Sequence, residues 1–417
     1  MTIRMDEGAA ELLDTLHRAG YAAYVVGGCV RDSLLGLTPH DWDLCTSALP
    51  QQVMELFGAQ RCIPTGLQHG TVTVKQSGAL YEITTFRTEG TYTDGRHPDE
   101  VHFVPDVRQD LARRDFTINA MAYNEKEGLV DPFGGQADLQ SGILRAVGVP
   151  RQRFTEDALR ILRLYRFAAR FGFAIDPPTA QAAQELCAHL DCVSVERIEE
   201  ELAKLLAAPA PAAYLDEKIL GVVLPELSPE ALAAAKPVVD ACPAGAENLP
   251  IRLAALLLSL GEDGTRRTLK HLRCSNALIE ETAVLVREVV SGVPVAFSSE
   301  KLPACPPVSL NIYTRKLLGQ YGLKTVQRLA AMGTALQPEH SADFAALSEL
   351  AEQLDADGVC CRVSQLAVNG RDLMAAGVPA GPGIRKVLEA LLDGVIREEY
   401  PNERQALLAV VQQLAAS

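Results

Sequence analysis

Long hydrophobic runs are missing from this sequence. Its cleanest apolar stretch, around Leu253 to Leu258, is far shorter than the ~18–20 residues a bilayer-spanning helix needs, so no membrane partner is expected. The opening Met-Thr-Ile-Arg-Met-Asp-Glu passes into an amphipathic helical pattern without an apolar signal core or cleavage site. Aromatic residues are scarce, 5% of 417, with a single tryptophan. Ten cysteines are present, but none forms a Cys-x-x-Cys pair and no histidines cluster beside them. That excludes the usual zinc and redox spacings and reads as free thiols in a reducing, cytoplasmic compartment. There is no excess of positive charge either: 39 Lys+Arg against 53 Asp+Glu leave a net charge of −14. A histone-like protein that neutralises phosphates along a whole nucleic acid is thereby excluded, although a local basic surface is not. Repeats of 20–50 residues and low-complexity tracts are absent too.

What remains is long enough for two or three packed units. Residues 1–137 mix helical and strand patterns. Glu11 to Ala19 reads as a helix and Ala23–Val26 as a short strand. Thr71-Val-Thr-Val and Tyr81-Glu-Ile-Thr-Thr-Phe flank a turn at Ser77-Gly78, which predicts a hairpin. From Asp138 on, helical period takes over. Thr155 through Phe171 reads as one amphipathic helix, and Ser194-Val-Glu-Arg-Ile starts another with a sequence like a capping box. Proline punctuation suggests units over 138–205, 206–300 and 301–417, with a loop at Ser298–Ser309. The expectation is a small α/β or α+β head on a long all-helical remainder.

The head carries the chemistry. Gly27-Gly28 follows a strand, which lets backbone N–H groups come close to a phosphate, and Arg31 adds charge there. Asp41 and Asp43 alternate by two, so on a strand both carboxylates share a face and suit a hard cation such as Mg²⁺. An isolated Asp-x-Asp is more often a solvated turn. Strand, Gly-Gly, helix and Asp-x-Asp in this order are far more specific. Glu82, inside an otherwise apolar strand, is the candidate third carboxylate. Cys29 reads as a small core-filling residue and His69 as structural.

These residues resemble the nucleotidyltransferase core shared with DNA polymerase beta, and more narrowly the bacterial class II CCA-adding enzymes, the tRNA nucleotidyltransferases of the poly(A) polymerase family. The resemblance continues through Asp110-Leu-Ala-Arg-Arg-Asp-Phe-Thr-Ile-Asn-Ala-Met-Ala, Asp131-Pro-Phe-Gly-Gly and Arg153-Phe-Thr-Glu-Asp-Ala-Leu-Arg-Ile-Leu-Arg, covering roughly residues 21–205. A later Gly381-Pro-Gly-Ile and Pro401-Asn-Glu-Arg also fit. It implies an α+β nucleotidyltransferase head followed by a helical neck, body and tRNA-binding tail. It also implies stepwise addition of C, C and A to the tRNA 3′ end from CTP and ATP, with a homodimer as one candidate assembly. The alternatives are an A-adding-only enzyme and a bacterial poly(A) polymerase, though the latter usually ends in a basic extension that this apolar C-terminus does not resemble.

The same resemblance implies roles. Asp41 and Asp43 would hold Mg²⁺ for two-metal transfer, with Glu82 beside them. Gly27, Gly28, Arg31 and Arg114 would meet the triphosphate, while Asp115 and Asn119 would sit near the ribose. A loop between Arg87 and Glu100 would be the one needed to switch from C to A addition. Asp157 and Arg160, three apart, would share a helix face and read the base, and Arg163 and Arg166 would extend toward phosphate. The pairing has chemical sense. A carboxylate accepts from the exocyclic amine of cytosine or adenine, a guanidinium donates to their ring acceptors, and uracil O4 or guanine O6 would face the carboxylate acceptor to acceptor. Charge is also uneven: seven arginines from Arg145 to Arg170 meet only Glu156 and Asp157, and a second basic stretch runs from Arg252 to Arg328. An RNA gripped through few phosphates, with a shallow salt dependence, is the expectation.

Overall fold

The computed structural model describes residues 3–90, 101–291 and 310–416, which form two compact units, Met1–Pro229 and Glu230–Ser417. The expected loop at Ser298–Ser309 and most of the Arg87–Glu100 loop lie outside the described residues.

The first unit is built on a seven-stranded mixed sheet. Its strands are β1 (Ala23–Val26), β2 (Leu44–Thr46), β3 (Cys62–Gly66), β4 (Thr71–Gln76), β5 (Ala79–Thr85), β8 (Ala122–Asn124) and β9 (Gly128–Val130). They lie in the order β3-β4-β5-β2-β1-β8-β9, and only β2 and β5 run parallel. β6 (Arg87–Glu89) and β7 (Val101–Phe103) pair separately. The expected hairpin forms: Ser77 and Gly78 both take positive φ, 51° and 85°, as a tight two-residue β4–β5 turn requires. Alternation then sorts side chains between two cores. Val25, Leu44, Val72, Val74 and Ile83 pack under α1 (Glu7–Arg18) through Leu12, Leu13 and Leu16. Tyr24, Val26, Cys45 and Phe86 face Val107 and Leu111 of α4 (Val107–Ala112). The central strands β1, β2 and β8 are therefore buried on both faces, whereas β4 and β5 alternate and leave one face open.

Helices complete the unit: α2 (Gly28–Leu34), α3 (Pro50–Phe57), α5 (Gly135–Ser141), α6 (Pro150–Glu156), α7 (Leu159–Phe171), α8 (Pro177–Leu186), α9 (Val195–Leu206) and α10 (Glu217–Val223), with a parallel pair β10 (Ile143–Leu144) and β11 (Ala174–Ile175) between them. One expectation fails here. The helix expected over Thr155–Phe171 is two helices, broken where Asp157 takes an extended backbone, φ −145° and ψ 105°. The Asp157 carboxylate accepts the Leu159 N–H at 3.0 Å and so starts α7 much as a capping residue does. The N-cap of α9 is Ser194, but its side chain makes no cap bond.

The second unit is helical throughout its described residues: α11 (Pro229–Ala241), α12 (Leu249–Leu257), α13 (Gly261–His271), α14 (Asn276–Val290), α15 (Leu310–Tyr321), α16 (Leu323–Leu336), α17 (Ser341–Ala356), α18 (Gly370–Ala375), α19 (Pro382–Ile396) and α20 (Arg404–Ala416). It holds one core under α15–α17, around Leu318, Val326, Phe344 and Leu347, and another under α18–α20, around Leu373, Leu391 and Leu407. No described helix is long and apolar enough to cross a membrane, and the nine described cysteines are all unbridged.

Candidate active site

The acidic cleft forms where β2 meets β5. Asp41 and Asp43 sit just before β2 rather than on it, but the Val26 N–H donates to the Asp43 carbonyl at 2.9 Å and fixes that approach. Leu44 pairs with Ile83 in parallel register, and both point into the core. One residue earlier on each chain, Asp43 and Glu82 therefore point outward together. Asp41, Asp43 and Glu82 line one cleft of about 570 Å³. The protein around Asp43 raises its pKa above the usual carboxylate value: desolvation acts first, Arg114 opposes it, and Glu82 and Asp41 add to it. Mutual repulsion among these acids is what a bound divalent cation would relieve. Among the described residues, however, no three His, Cys, Asp or Glu side chains converge as a complete metal cage. Two carboxylates plus substrate phosphates fit Mg²⁺, which rarely uses an all-protein cage.

Beside this cleft stands the Gly27-Gly28 turn. Gly27 has φ +78°, a left-handed backbone that favours glycine, and a Cβ built on it would lie 2.8 Å from Arg114 Nη1 and push that guanidinium aside. Arg114 is held by buried Asp110 of α4 at 3.4 Å, which also pairs with Arg113 at 2.9 Å. Burial pushes the Asp110 pKa up, but the two guanidiniums bring it below its ordinary value. Cys29 donates to the Val26 carbonyl at 3.4 Å, and burial pushes its thiol up to about 11, which suits a core-filling residue and not a nucleophile.

A second cavity, of about 290 Å³, collects Asp157 and Arg160, expected at the base, Asp115, expected at the ribose, and Arg114 and Arg163, expected at phosphate; Asn119, also expected at the ribose, does not line it. Asp115 is buried. Its Oδ1 accepts from the Phe116 N–H and the Asn119 amide, and its Oδ2 takes Arg163 Nη2 at 2.6 Å and Nε at 2.9 Å. Burial alone would raise its pKa, yet Arg163 and Asn119 hold it far below the usual range. The sign follows: a depressed carboxylate stabilises fully above its unfolded pKa near 4 and loses that contribution as pH falls. Asp115→Asn is therefore expected to cost about 3 kcal/mol near neutral pH. The deficit should narrow below about pH 4; thermal melts across pH measure it, and a gap that stays constant with pH would remove this role.

Asp157 and Arg160 meet in the cavity through the helix break, not through one helix face. Arg197 of α9 pairs with Asp157 at 2.8 Å, and Glu156 with Arg160 at 2.7 Å, while the Arg113 carbonyl accepts from Arg160 at 3.1 Å. Arg31 and Arg166 line neither cleft. Arg31 is buried, donates to Asp32 at 2.7 Å and Asn119 at 2.5 Å, and lies over the rings of Phe167 and Phe171. Arg166 pairs with buried Glu201 at 2.6 Å and lies over Phe167. Gly28 opens α2 next to Arg31. Arg113, Arg197 and Glu201 join these groups without having been expected from the sequence. Glu201 had a signal: it falls in phase with Ile198, Leu202 and Leu205, the apolar stripe of α9, where an acid needs a buried cation.

Comparison with known proteins gives consistent matches. Residues 23–145 match the family model described as the poly A polymerase head domain, residues 172–230 a probable RNA and SrmB binding site of polymerase A, and residues 251–411 a putative tRNA nucleotidyltransferase domain 2. The chain is 38% identical to the CCA-adding enzyme of Lactiplantibacillus plantarum, over 99% of this chain and 97% of that protein. It is 36% identical to the CCA-adding enzyme of Geobacillus thermodenitrificans, over 96% and 95%. Its structure superposes on the crystal structure of the Bacillus stearothermophilus CCA-adding enzyme in complex with CTP with a TM-score of 0.81 and 32% identity, over 99% of this chain and 98% of that one.

Proposed function

The chain belongs to the family of CCA-adding enzymes, and from that premise we propose that it adds C, C and A stepwise to the 3′ end of tRNA from CTP and ATP, releasing pyrophosphate. The observation that carries the proposal is Arg114, which lines the base cavity and also acts electrostatically on Asp43 of the acidic cleft. A nucleotide with its base at Asp157 and Arg160 would thus have its phosphates led toward the acids.

Asp41 and Asp43 would hold Mg²⁺, with Glu82 adding negative charge at the same cleft. When bound, the ions supply Lewis acidity to the attacking hydroxyl and to the leaving pyrophosphate. The chain's own groups do the rest. The Gly27-Gly28 turn and Arg114 present N–H groups and charge to the triphosphate, with Arg163 extending that positive surface, while inward-turned Arg31 and Arg166 brace Asn119 and Glu201 behind it. Asp115 and Asn119, locked to Arg163 and Arg31, present a fixed edge to the ribose. Asp157, held by Arg197, accepts from the exocyclic amine of cytosine or adenine. Arg160, held by Glu156, donates to the ring acceptors. Because these templates are side chains, selection of C and A needs no nucleic-acid template.

The experiment is extension of a tRNA lacking its 3′ CCA, with Mg²⁺ and each nucleotide supplied separately and together. CTP alone should add two residues, and ATP should then add one. Extension only of an RNA already ending in CC would mean A addition alone, and long A tails on any RNA would mean a poly(A) polymerase.

A further inference from the structure

The acidic cleft has two sides. One leads through Arg114 to the base cavity. The other is the open outer face of β3, β4 and β5, where Ile63, Thr73 and Glu82 stand abreast in register, with Lys75 and Leu80 in the next row. Ile63 and Leu80 are 42% and 62% exposed, and both line the cleft together with the three acids and Trp42, the only tryptophan of the chain. An exposed leucine alone means little. Here, however, two exposed apolar side chains wall the cleft that holds the catalytic acids, with Trp42, which packs partly against the core under α1, at its edge. Beyond them lie exposed Lys75 and Arg61, the latter donating to the Lys75 carbonyl at 3.1 Å.

We propose that this face seats the last unpaired nucleotides of the RNA acceptor, with Ile63 and Leu80 against the bases, Trp42 at the cleft edge beside them, and Lys75 and Arg61 near the backbone phosphates. The proposal rests on the reading of the chain as an enzyme acting on an RNA 3′ end. Two arguments select this occupant. The incoming nucleotide takes the Arg114 side, so the attacking hydroxyl must enter from the other. The terminal base of the acceptor also changes after every addition, so its seat cannot depend on base-edge hydrogen bonds. Apolar contact with base faces is tolerant of sequence, and positive charge behind it follows the backbone whatever the base. The face stays open because β4 and β5 alternate, unlike the doubly buried β1 and β2. Ile63, Leu80 and Lys75 are positioning residues, since they act on the RNA and not on the reacting atoms.

The test uses the full-length protein and a short RNA hairpin ending in unpaired CC. In the double variant Ile63→Ser/Leu80→Ser, KM for the hairpin should rise about ten-fold, as expected for lost apolar contact. kcat and KM for ATP should stay within two-fold. Lys75→Glu should raise KM for the hairpin as well. Without nucleotide or metal, the hairpin should quench Trp42 fluorescence in the wild type, and the double variant should need at least several-fold more RNA for the same quench. An unchanged hairpin KM, or a quench titration identical in both proteins, would overturn the proposal. If the wild type extends no RNA, the functional reading fails separately, and the quench titration still decides whether this face binds it.

Discussion

Asp43→Asn should lower nucleotidyl transfer by about a thousand-fold or more while leaving RNA binding within a few-fold of wild type. The substitution keeps the shape and removes a negative charge from a site where three acids share one cleft. The backbone of Asp43 is fixed by the Val26 N–H and by the neighbouring Leu44–Ile83 pairing, so the fold should survive. Removing a charge that desolvation, Glu82 and Asp41 disfavour, with Arg114 alone opposing them, should leave the apo protein no less stable, or slightly more so. Activity and stability should thus move in opposite directions. Single-turnover transfer, hairpin binding by filter retention and a thermal melt measure all three. Transfer within ten-fold of wild type would remove Asp43 from the catalytic set.

Asp157→Ala should relax base choice by roughly 10- to 100-fold, the value of one lost bidentate base contact. The effect has a structural component that must be separated. Asp157 also accepts the Leu159 N–H that starts α7 and pairs with Arg197, so alanine should cost about 1 kcal/mol or more in stability. Asp157→Asn separates the two roles. Its amide oxygen can still cap α7, but its NH₂ cannot accept from cytosine N4 or adenine N6. Stability should largely return while preference for CTP and ATP over UTP and GTP does not. Competition assays with paired nucleotides read the preference. Undiminished rejection of UTP and GTP by both variants would refute the assignment.

Much of the candidate site was legible because its parts are local in sequence. Gly27-Gly28, Asp41-x-Asp43 and Arg114-Asp115 each lie within a few residues, and Glu82 stood out as an acid inside an otherwise apolar strand. The β4–β5 hairpin was equally plain, since turn chemistry and alternation agree over Thr71–Thr85. The helix break at Asp157 was hidden for a physical reason: no glycine or proline marks it, and the apolar period continues through it. Only the carboxylate's bond to the Leu159 N–H, a tertiary and capping choice, ends one helix and begins the next.

The sequence by itself determined which chemical groups exist and in what order: acids, glycines and guanidiniums on a mixed head, followed by helices, in a chain too acidic to bind nucleic acid everywhere. Tertiary structure decided which of them meet. Parallel pairing of β2 with β5 brings Glu82 beside Asp43, 39 positions earlier. Packing of α7 on α9 brings Arg197 to Asp157 and buries Glu201 against Arg166, while Arg31 turns inward onto Asn119 and two phenylalanine rings. Those choices follow from burial. A guanidinium or carboxylate leaves water only where a partner of opposite charge or a hydrogen bond awaits it, and no local pattern reveals where that partner lies.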